Sequence, residues 1–524
     1  MTTNNFHYGE DTLTVGIALD IARGKRKGIL SEKNLKVVRK CRETVENIVH
    51  KQKTVYGINT GFGPLCTTLI GEEDTRTLQH NLLMSHSVGV GKNIPSEIAK
   101  LMLIFKVHSL SKGYSGVAVK TLERILWHIE EDIIPCVPEQ GSVGASGDLA
   151  PLAHLFLPLI GLGTVNYQGE EFPTQKLFDL LNIEPIHLGP KEGLALINGT
   201  QFISAFASAA LEKMQNCLDS ADIIAAMNLE AMMGSVKSFD AELHSLRPYS
   251  GVEYVAKRMR ILTANSEIVE SHKNCTRVQD PYSLRCIPQV HGASRNAWLH
   301  LKETIHTEIN SVTDNPIIFS EDKTISGGHF HGQPIALPAD YAAIAAAELG
   351  NISDRRVYLS LMEKVEGLPK LLMRETGLNS GFMIPQYTTA ALVSENKSLC
   401  FPSSVDSIPT SLGQEDHVSM GSISARKALQ ITENLEKILG IELFTAAQGF
   451  DFRKPLKSSI LINKVHEHVR TKIPFAEKDR IFAHDINIAI DMIGKKELTY
   501  ISNLVAEEFD IDFKNEAHEI FGIY

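Results

Sequence analysis

Apolar residues recur along much of the chain at alternating steps of three and four residues, the spacing of an amphipathic α-helix. One stripe of this kind consists of Leu211, Met214, Leu218, Ala221 and Ala225. The surrounding segment, 201–233, contains neither proline nor glycine, and its polar face is narrow. A helix that is apolar over most of its surface must be covered by other helices, within the chain or across a subunit interface.

Two further segments, 338–361 and 422–448, share this pattern and predict two more long helices. Strand patterns are rare. The clearest is TVNYQGEEFPT at 164–174, which predicts a small hairpin that turns near Gln168 and Gly169. The regular alternation of strands and helices that marks a doubly wound fold is missing. We therefore predict a mainly α fold.

The two parts of the chain differ in pattern. Residues 1–200 hold most of the loops, including a glycine-rich one at 141–151, whereas residues 201–524 read as a bundle of long helices. We find no repeat, low-complexity tract or linker between them. The sequence therefore predicts a loop-rich N-terminal part that carries the active-site loop and a long-helix bundle, acting as one functional unit.

Composition and charge exclude several classes of protein. The chain has 524 residues, of which 43% are hydrophobic and 22% charged, as in an ordinary globular protein. A net charge of −10 argues against a nucleic-acid partner. The one basic run, RGKRK at 23–27, is interpreted as a solvated loop.

The cysteines and the hydropathy pattern favour a cytoplasmic protein. The seven cysteines are scattered, odd in number and without a CxxC pair, which is typical of reduced thiols and not of a disulfide framework or a zinc site. The N-terminal residues do not have the pattern of a secretory signal, and no apolar run is long enough to span a membrane.

The stretch GSVGASGDLAP at 141–151 carries three glycines within seven residues. It is not a phosphate-binding P-loop, because no lysine follows Gly147. It is not the nucleophile elbow of an α/β-hydrolase either, because Asp148 stands where the last glycine of GxSxG belongs. Local rules leave a glycine-rich turn before a helix that begins near Leu149, with Asp148 as N-cap and Pro151 in the first turn.

A second interpretation of the same residues is chemical. A sharply bent Ala145-Ser146-Gly147 could bring the Gly147 amide nitrogen onto the Ala145 carbonyl carbon, since glycine permits unusual backbone angles. Cyclisation with loss of water, including the Ser146 hydroxyl, would leave a methylidene group on a five-membered ring. Such a ring is an electrophile built from the backbone.

The segment GSVGASGDLAPLAH resembles the signature of the aromatic amino-acid ammonia-lyases, whose Ala-Ser-Gly forms 4-methylidene-imidazol-5-one (MIO) autocatalytically. Within that family the chain most resembles the members that act on histidine. Similar blocks span most of the chain in the family's order: YGINTGFG (56–63), NLLMSHSVGVG (81–91), LALINGTQ (194–201), QDPYSLRCIPQVHG (279–292), DNP (314–316), GLNSGFMIPQY (377–387) and QEDHVSMG (414–421).

The resemblance implies elimination of ammonia from an α-amino acid, with no external cofactor. This reaction needs an electrophile for the amine and a strong base for a weakly acidic β-proton. Tyr56 matches the family's base, and it must be activated because a free tyrosine has a pKa of about 10. The neighbouring glycines Gly57, Gly61 and Gly63 suggest a pliable loop over the substrate.

The resemblance also assigns the remaining pocket residues. Arg285 is expected to clamp the substrate carboxylate with its planar fork. Tyr282 matches a tyrosine close to the electrophile, and Asn198 matches an asparagine that hydrogen-bonds around the carboxylate and the ring. Gln279 and Phe330 are expected to complete the pocket, with Phe330 packed on the substrate ring.

Two residues point to the substrate side chain. His86 follows Ser85, as in the histidine-specific members, although some tyrosine-acting members share this pair. Glu415 is the sharper marker, because a buried carboxylate opposite a phenyl ring would be unpaired, whereas an imidazole would satisfy it. The alternative is that Glu415 pairs with a nearby arginine or with His417.

The expected reaction is therefore L-histidine to trans-urocanate and ammonia. A tyrosine or phenylalanine ammonia-lyase, or an aminomutase that returns the amine to the β-carbon, is the alternative. A catalytically silent relative acting as a structural oligomer is a third possibility, against which the intact Ala-Ser-Gly, Tyr56 and Arg285 argue. The resemblance also implies a homotetramer whose active sites take residues from three subunits.

One position departs from the family pattern. GGHFHG at 327–332 has His329 where the family generally carries asparagine. A histidine there differs in shape and in hydrogen bonding, so rate or substrate preference could change. His329 and His331 lack a third ligand at a suitable spacing, and we therefore expect no metal site.

Overall fold

The computed structural model describes residues 5–61, 63, 70–274, 277–363, 365–513 and 518–524. The α-helices are α1 (Val15–Ala22), α2 (Glu32–His50), α3 (Glu72–His86), α4 (Ser96–Leu110), α5 (Val119–Glu130), α6 (Leu149–Phe156), α7 (Thr174–Leu181), α8 (Glu192–Ile197), α9 (Gln201–Ala231), α10 (Ala241–Ser245), α11 (Ser250–Leu262), α12 (Glu267–Ser271), α13 (Tyr282–Arg285), α14 (Ile287–Ile309), α15 (Gln333–Ser360), α16 (Met383–Leu399), α17 (Gly421–Asp451), α18 (Ile460–Lys472), α19 (Phe482–Gly494), α20 (Glu497–Glu508) and α21 (His518–Phe521). Short 3₁₀ turns occur at Leu157–Ile160, Val236–Phe239, Lys370–Leu372 and Ser411–Gly413.

The strands are short and form four small sheets among the described residues. They are β1 (Phe6–His7), β2 (Gly28–Ile29), β3 (Val90–Asn93), β4 (Ile134–Pro135), β5 (Pro138–Gln140), β6 (Thr164–Tyr167), β7 (Glu170–Pro173), β8 (Ile317–Ser320) and β9 (Lys323–Ile325). The predicted hairpin is confirmed: β6 and β7 pair antiparallel, with Val165 opposite Phe172. Gln168 and Gly169 form its turn with positive φ, which glycine tolerates readily.

Three long helices, α9, α15 and α17, pack against one another at the centre of the fold. This confirms the long helices predicted from the apolar stripes. Every residue of α9 from Met214 to Ala231 is buried within the single chain. Helix α15 begins at Gln333, before the predicted start at Pro338, so Pro334 lies in its first turn and Pro338 lies inside the helix.

A buried group of charges joins the central helices. Asp222 of α9 accepts hydrogen bonds from Arg258 Nε of α11 at 2.8 Å and from Arg295 Nη2 of α14 at 2.6 Å. It also bonds His291 Nδ1 of α14 at 2.8 Å. Burial alone would raise the pKa of Asp222, but these three partners outweigh burial and hold that pKa well below its usual range.

His291 extends this group to two more helices. Burial lowers the pKa of His291, so the ring is neutral and can donate from Nδ1 while Nε2 accepts. Its Nε2 lies 3.3 Å from Arg356 Nη1 of α15, and Arg356 binds Glu442 of α17 through Nε–Oε1 at 2.5 Å and Nη2–Oε2 at 3.0 Å. The five helices α9, α11, α14, α15 and α17 are therefore joined by one buried network.

The described cysteines form no disulfide bonds. The described cysteines Cys41, Cys136, Cys217, Cys286 and Cys400 are free thiols, while Cys66 and Cys275 lie outside the described residues. Within the described ranges we find no helix both long and apolar enough to cross a membrane.

We predict that Arg356→Met will lower the free energy of unfolding by about 3–5 kcal/mol, because it leaves the Glu442 carboxylate buried without its cation. The matched control is Arg39→Met, which removes a surface pair with Glu32 and should cost less than about 1 kcal/mol. Urea denaturation of both variants measures the difference. Equal losses would contradict the role given to the network.

Candidate active site

The glycine-rich loop is held by close contact of two backbone segments. Gly147 has φ +75° and forms a parallel bridge with Gly199. A Cβ atom on Gly147 would lie 2.1 Å from the Gly199 carbonyl oxygen, so no other residue fits there. The Asp148 amide nitrogen donates to that same oxygen at 2.7 Å. The loop is therefore sharply bent and anchored against the corner between α8 and α9.

Asp148 occupies the predicted N-cap position of α6, but its side chain makes no capping bond with that helix. Its Oδ2 accepts from the Ile203 amide of α9 at 3.0 Å, and its Oδ1 accepts from the Ser142 hydroxyl at 3.0 Å. Burial raises the pKa of Asp148 to about 7, against the effect of these hydrogen bonds. The carboxylate therefore caps the neighbouring helix α9 and ties the loop to it.

The starts of several helices meet at this loop. Helix α6 follows it directly, and the first turn of α9 contacts Asp148. Just before α17, the Met420 amide donates to the Val143 carbonyl oxygen at 2.9 Å, and in its first turn the Ser422 hydroxyl donates to the Ser142 carbonyl oxygen at 2.6 Å. Helix N-termini carry unpaired amides and partial positive charge, so this end of the bundle favours anionic groups.

Ser146 makes two short hydrogen bonds with side chains that are far away in the sequence. Its carbonyl oxygen accepts from Asn198 Nδ2 at 2.6 Å. Its hydroxyl donates to Glu415 Oε1 at 2.6 Å. The other carboxylate oxygen of Glu415 accepts from the hydroxyls of Thr410 at 2.8 Å and Ser411 at 2.9 Å. In the described part of the chain the hydrogen-bond partners of the Glu415 carboxylate are therefore hydroxyls and not the arginine or His417 of the alternative interpretation.

A cavity of about 750 Å³ opens beside Ser146. It brings together most of the residues predicted for the site: Tyr56, His86, Ala145, Ser146, Asn198, Phe330 and Glu415. The cavity is also lined by polar residues to which sequence reasoning gave no role there: Asn81, Ser85, Asn315, Ser326, His331, Gln414, Asp416 and His417. Most of these residues are neighbours of predicted residues within the same sequence blocks, and that proximity is the feature of the sequence from which they could have been predicted.

The predicted base and the predicted imidazole contact lie in this cavity. The Tyr56 hydroxyl accepts from the Gly63 amide at 3.3 Å. Burial lowers the pKa of His86, while the nearby Glu415 opposes that change. His86 is therefore neutral near pH 7, and its Nδ1 lies 3.0 Å from the Ser85 hydroxyl. Gly57 packs against Leu194 and Pro316, so this glycine serves close packing.

His329 and His331, on either side of Phe330 in the sequence, lie in different environments. His331 stacks on His417 with ring centroids 5.8 Å apart and an interplanar angle of 6°. His329 is exposed and is not part of the cavity lining. Burial raises the pKa of Glu308, and His329 is close enough to oppose this shift. No group of three His, Cys, Asp or Glu side chains within the described ranges is arranged to hold a metal ion.

Four predicted residues do not line the cavity of the single chain: Gly147, which adjoins Ser146, and Gln279, Tyr282 and Arg285. Gln279 is exposed, and Tyr282 is 70% exposed at the start of the short helix α13. The Arg285 guanidinium stacks on the Tyr282 ring at 4.7 Å. Among the described residues nothing hydrogen-bonds the buried Arg285 Nε. The predicted site residues therefore form two separate groups on one chain.

The family model for aromatic amino acid lyases matches residues 13–471. The chain belongs to the aromatic amino acid lyase family. This lyase is 46% identical over 459 residues to the histidine ammonia-lyase of Natranaerobius thermophilus, covering 87% of this chain and 90% of that protein.

Solved structures of the family share the fold. The histidine ammonia-lyase of Trypanosoma cruzi superposes with a TM-score of 0.90 at 38% identity, covering 99% of this lyase and 97% of that chain. The tyrosine aminomutase of Streptomyces globisporus also gives a TM-score of 0.90, at 34% identity, with 95% and 98% of the two chains covered. Fold similarity alone therefore does not separate lyase from aminomutase activity.

We predict that Gly199→Ala will destabilise this lyase by at least about 2 kcal/mol more than Gly377→Ala. Both glycines have positive φ, +138° and +108°, so both substitutions strain the backbone. Only at Gly199 would the Cβ also meet neighbours, with Gln201 Oε1 at 2.5 Å and Thr313 Oγ1 at 2.9 Å. Thermal unfolding compares the two variants, and an equal loss would show that the close packing is unimportant.

Proposed function

We propose that this lyase is a histidine ammonia-lyase, which converts L-histidine to trans-urocanate and ammonia. The observation that carries the proposal is the position of Glu415, whose carboxylate lies 2.6 Å from the Ser146 hydroxyl in a cavity that it shares with His86. An imidazole offers N–H donors to that carboxylate, whereas a phenyl ring would leave the charge unpaired. The histidine ammonia-lyases among its relatives support the same assignment.

We propose further that Ala145-Ser146-Gly147 matures into MIO. The Gly147 nitrogen bonds to the Ala145 carbonyl carbon, and one water leaves with that carbonyl oxygen and the amide protons of Ser146 and Gly147. A second water leaves with the Ser146 hydroxyl and its α-hydrogen. The left-handed, tightly packed Gly147 and the Asn198 amide on the Ser146 carbonyl oxygen fit this group. When formed, it supplies the electrophilic carbon that takes the substrate amine and makes nitrogen a better leaving group.

The residues around this loop carry out the remaining steps: they remove the proton, orient the substrate and stabilise charge. Tyr56 removes the β-proton from its position on the cavity wall. The neutral His86 and the carboxylate of Glu415 orient the imidazole by hydrogen bonds, and Phe330 packs on the ring. Asn198 donates to the Ser146 carbonyl oxygen and so stabilises negative charge there.

We infer that the substrate carboxylate is bound across a subunit boundary in a homotetramer. Arg285, Tyr282 and Gln279 lie outside the cavity of their own chain, so they can serve the reaction only in a neighbour's site. Val278, next to Gln279 in the sequence, is 94% exposed in the single chain, and Leu378, elsewhere on the surface, is 86% exposed. Large exposed apolar groups are typical of surfaces that a partner covers.

We predict that Glu415→Gln will lower turnover of L-histidine roughly a hundredfold, because an amide cannot supply the charge that holds the imidazole. The enzyme should be incubated in parallel with L-histidine, L-tyrosine and L-phenylalanine, and the products identified. Urocanate as the main product supports the proposal. Coumarate or cinnamate would point to the other lyases, β-amino acids would identify an aminomutase, and an unchanged rate in Glu415→Gln would contradict the role of Glu415.

We predict that Ser146→Ala and Arg285→Met are each inactive but recover part of the activity when the two chains are co-expressed. A mixed tetramer can combine an intact serine loop from one chain with an intact arginine from another. The matched control is co-expression of Ser146→Ala with Glu415→Gln, which line one cavity of one chain and should not complement. Absence of recovery in the first pair would contradict the shared site.

A further inference from the structure

A lysine lies buried behind the serine loop. Lys106 is on α4, where every residue from Ile98 to Leu110 is buried, and only 1% of its surface is exposed. Its Nζ donates to the Asn198 carbonyl oxygen at 2.6 Å and to Gln201 Oε1 at 3.4 Å. Lys106 does not line the cavity, so it meets the site from the side away from substrate.

The carboxylates near Lys106 are engaged elsewhere. Asp314 binds Lys191 in a buried ion pair and accepts from the Ser115 hydroxyl at 2.7 Å. Asp148 bonds the Ile203 amide and the Ser142 hydroxyl. Within the described ranges the hydrogen bonds of Lys106 go to a peptide carbonyl and a side-chain amide and to no carboxylate. Burial lowers the pKa of Lys106 to about 7, with Lys191 lowering it further and Asp314 and Asp148 opposing.

An amine buried without a carboxylate partner is costly, and an apolar side chain of similar length would fill the space at lower cost. The direct partners of Lys106 are a peptide carbonyl and a side-chain amide, and both belong to the corner between α8 and α9. Gln201 extends this hydrogen-bonded chain, because its Nε2 donates to the Thr313 hydroxyl at 2.9 Å. The lysine therefore fixes the backbone of this corner.

The same corner carries the amide that touches the serine loop. The Asn198 carbonyl oxygen accepts a hydrogen bond from Lys106 Nζ, and Asn198 Nδ2 donates to the Ser146 carbonyl oxygen. Its Oδ1 is buried and has no hydrogen-bond partner among the described residues. Among the described residues the Asn198 side chain hydrogen-bonds only Ser146, so the position of its backbone decides whether Nδ2 reaches that oxygen.

We propose that Lys106 is a positioning residue for the electrophile: it holds Asn198 so that Nδ2 stays on the Ser146 carbonyl oxygen. In its protonated form Lys106 also places a positive charge behind Asn198, which stabilises the negative charge that the Ser146 carbonyl oxygen gains when a nucleophile adds at the Ser146 side chain. This inference rests on the proposed maturation of Ala145-Ser146-Gly147 and deepens it by naming the residue that makes the product reactive.

The test compares Lys106→Met with Lys100→Met, which removes another lysine from α4. Lys100 is 8% exposed and bonds Asp132 at 2.7 Å, away from Asn198. Intact mass measures the fraction of subunits that have lost two waters. For that fraction, the rate constant of cyanide addition is measured without substrate, together with kcat and KM for L-histidine.

Lys106→Met should slow cyanide addition and lower kcat by at least about tenfold per dehydrated subunit, the effect of losing a charge-assisted hydrogen bond. KM should change less than about threefold, because Lys106 does not touch the cavity. Lys100→Met should match the wild type. Lys106→Arg, which keeps a donor and a charge, should restore most of the rate.

Several results would overturn the inference. These are a Lys106→Met enzyme no slower than Lys100→Met, a rise in KM with kcat unchanged, or a Lys106→Arg enzyme as slow as Lys106→Met. If Lys106→Met does not fold, Lys106→Gln replaces it, and cyanide addition at the wild-type rate would then overturn the role of the charge. A wild-type chain that loses no water would instead overturn the proposed maturation.

Discussion

The contact between Gly147 and Gly199 is the constraint on which the site depends. A Cβ on Gly147 would fall 2.1 Å from the Gly199 carbonyl oxygen, so the two backbones approach as closely as only glycines allow. This approach places the Ser146 carbonyl oxygen 2.6 Å from Asn198 Nδ2. The close approach of the two glycines thus fixes the backbone on both sides of Ser146.

Buried polar groups support that contact from three directions. Asp148 caps α9 at Ile203, Lys106 donates to the Asn198 carbonyl oxygen, and Glu308 accepts from the Thr200 hydroxyl. Each group would cost free energy if left unpaired in this environment, so each bond resists displacement of the corner. The corner between α8 and α9 is therefore held in place by buried hydrogen bonds, as the helices behind it are held by the Asp222 network and by apolar packing.

The sequence predicted the architecture well because apolar periodicity records burial directly. Helix α9 and the β6–β7 hairpin were found from local pattern alone. The hydrogen bond between the Ile203 amide and Asp148 could not be predicted, because an N-cap side chain usually accepts from its own helix. That Asp148 caps α9 and not α6 depends on the tertiary packing of the two helices. Lys106 left one signal, a lysine within the apolar run 101–107 of α4, but its partner Asn198, just after α8, could not be derived from spacing.

The site draws its residues from far along the chain, at points where helices begin. Ser146 and Glu415 touch although 269 residues separate them. Contacts at such separation form late in folding, because the loop between them must first be closed. A chain interrupted before residue 415 would possess the serine loop without the carboxylate beside it. The maturation proposed for Ser146 would therefore wait until residue 415 has been synthesised and packed, and a matured loop would be a chemical record of a finished fold.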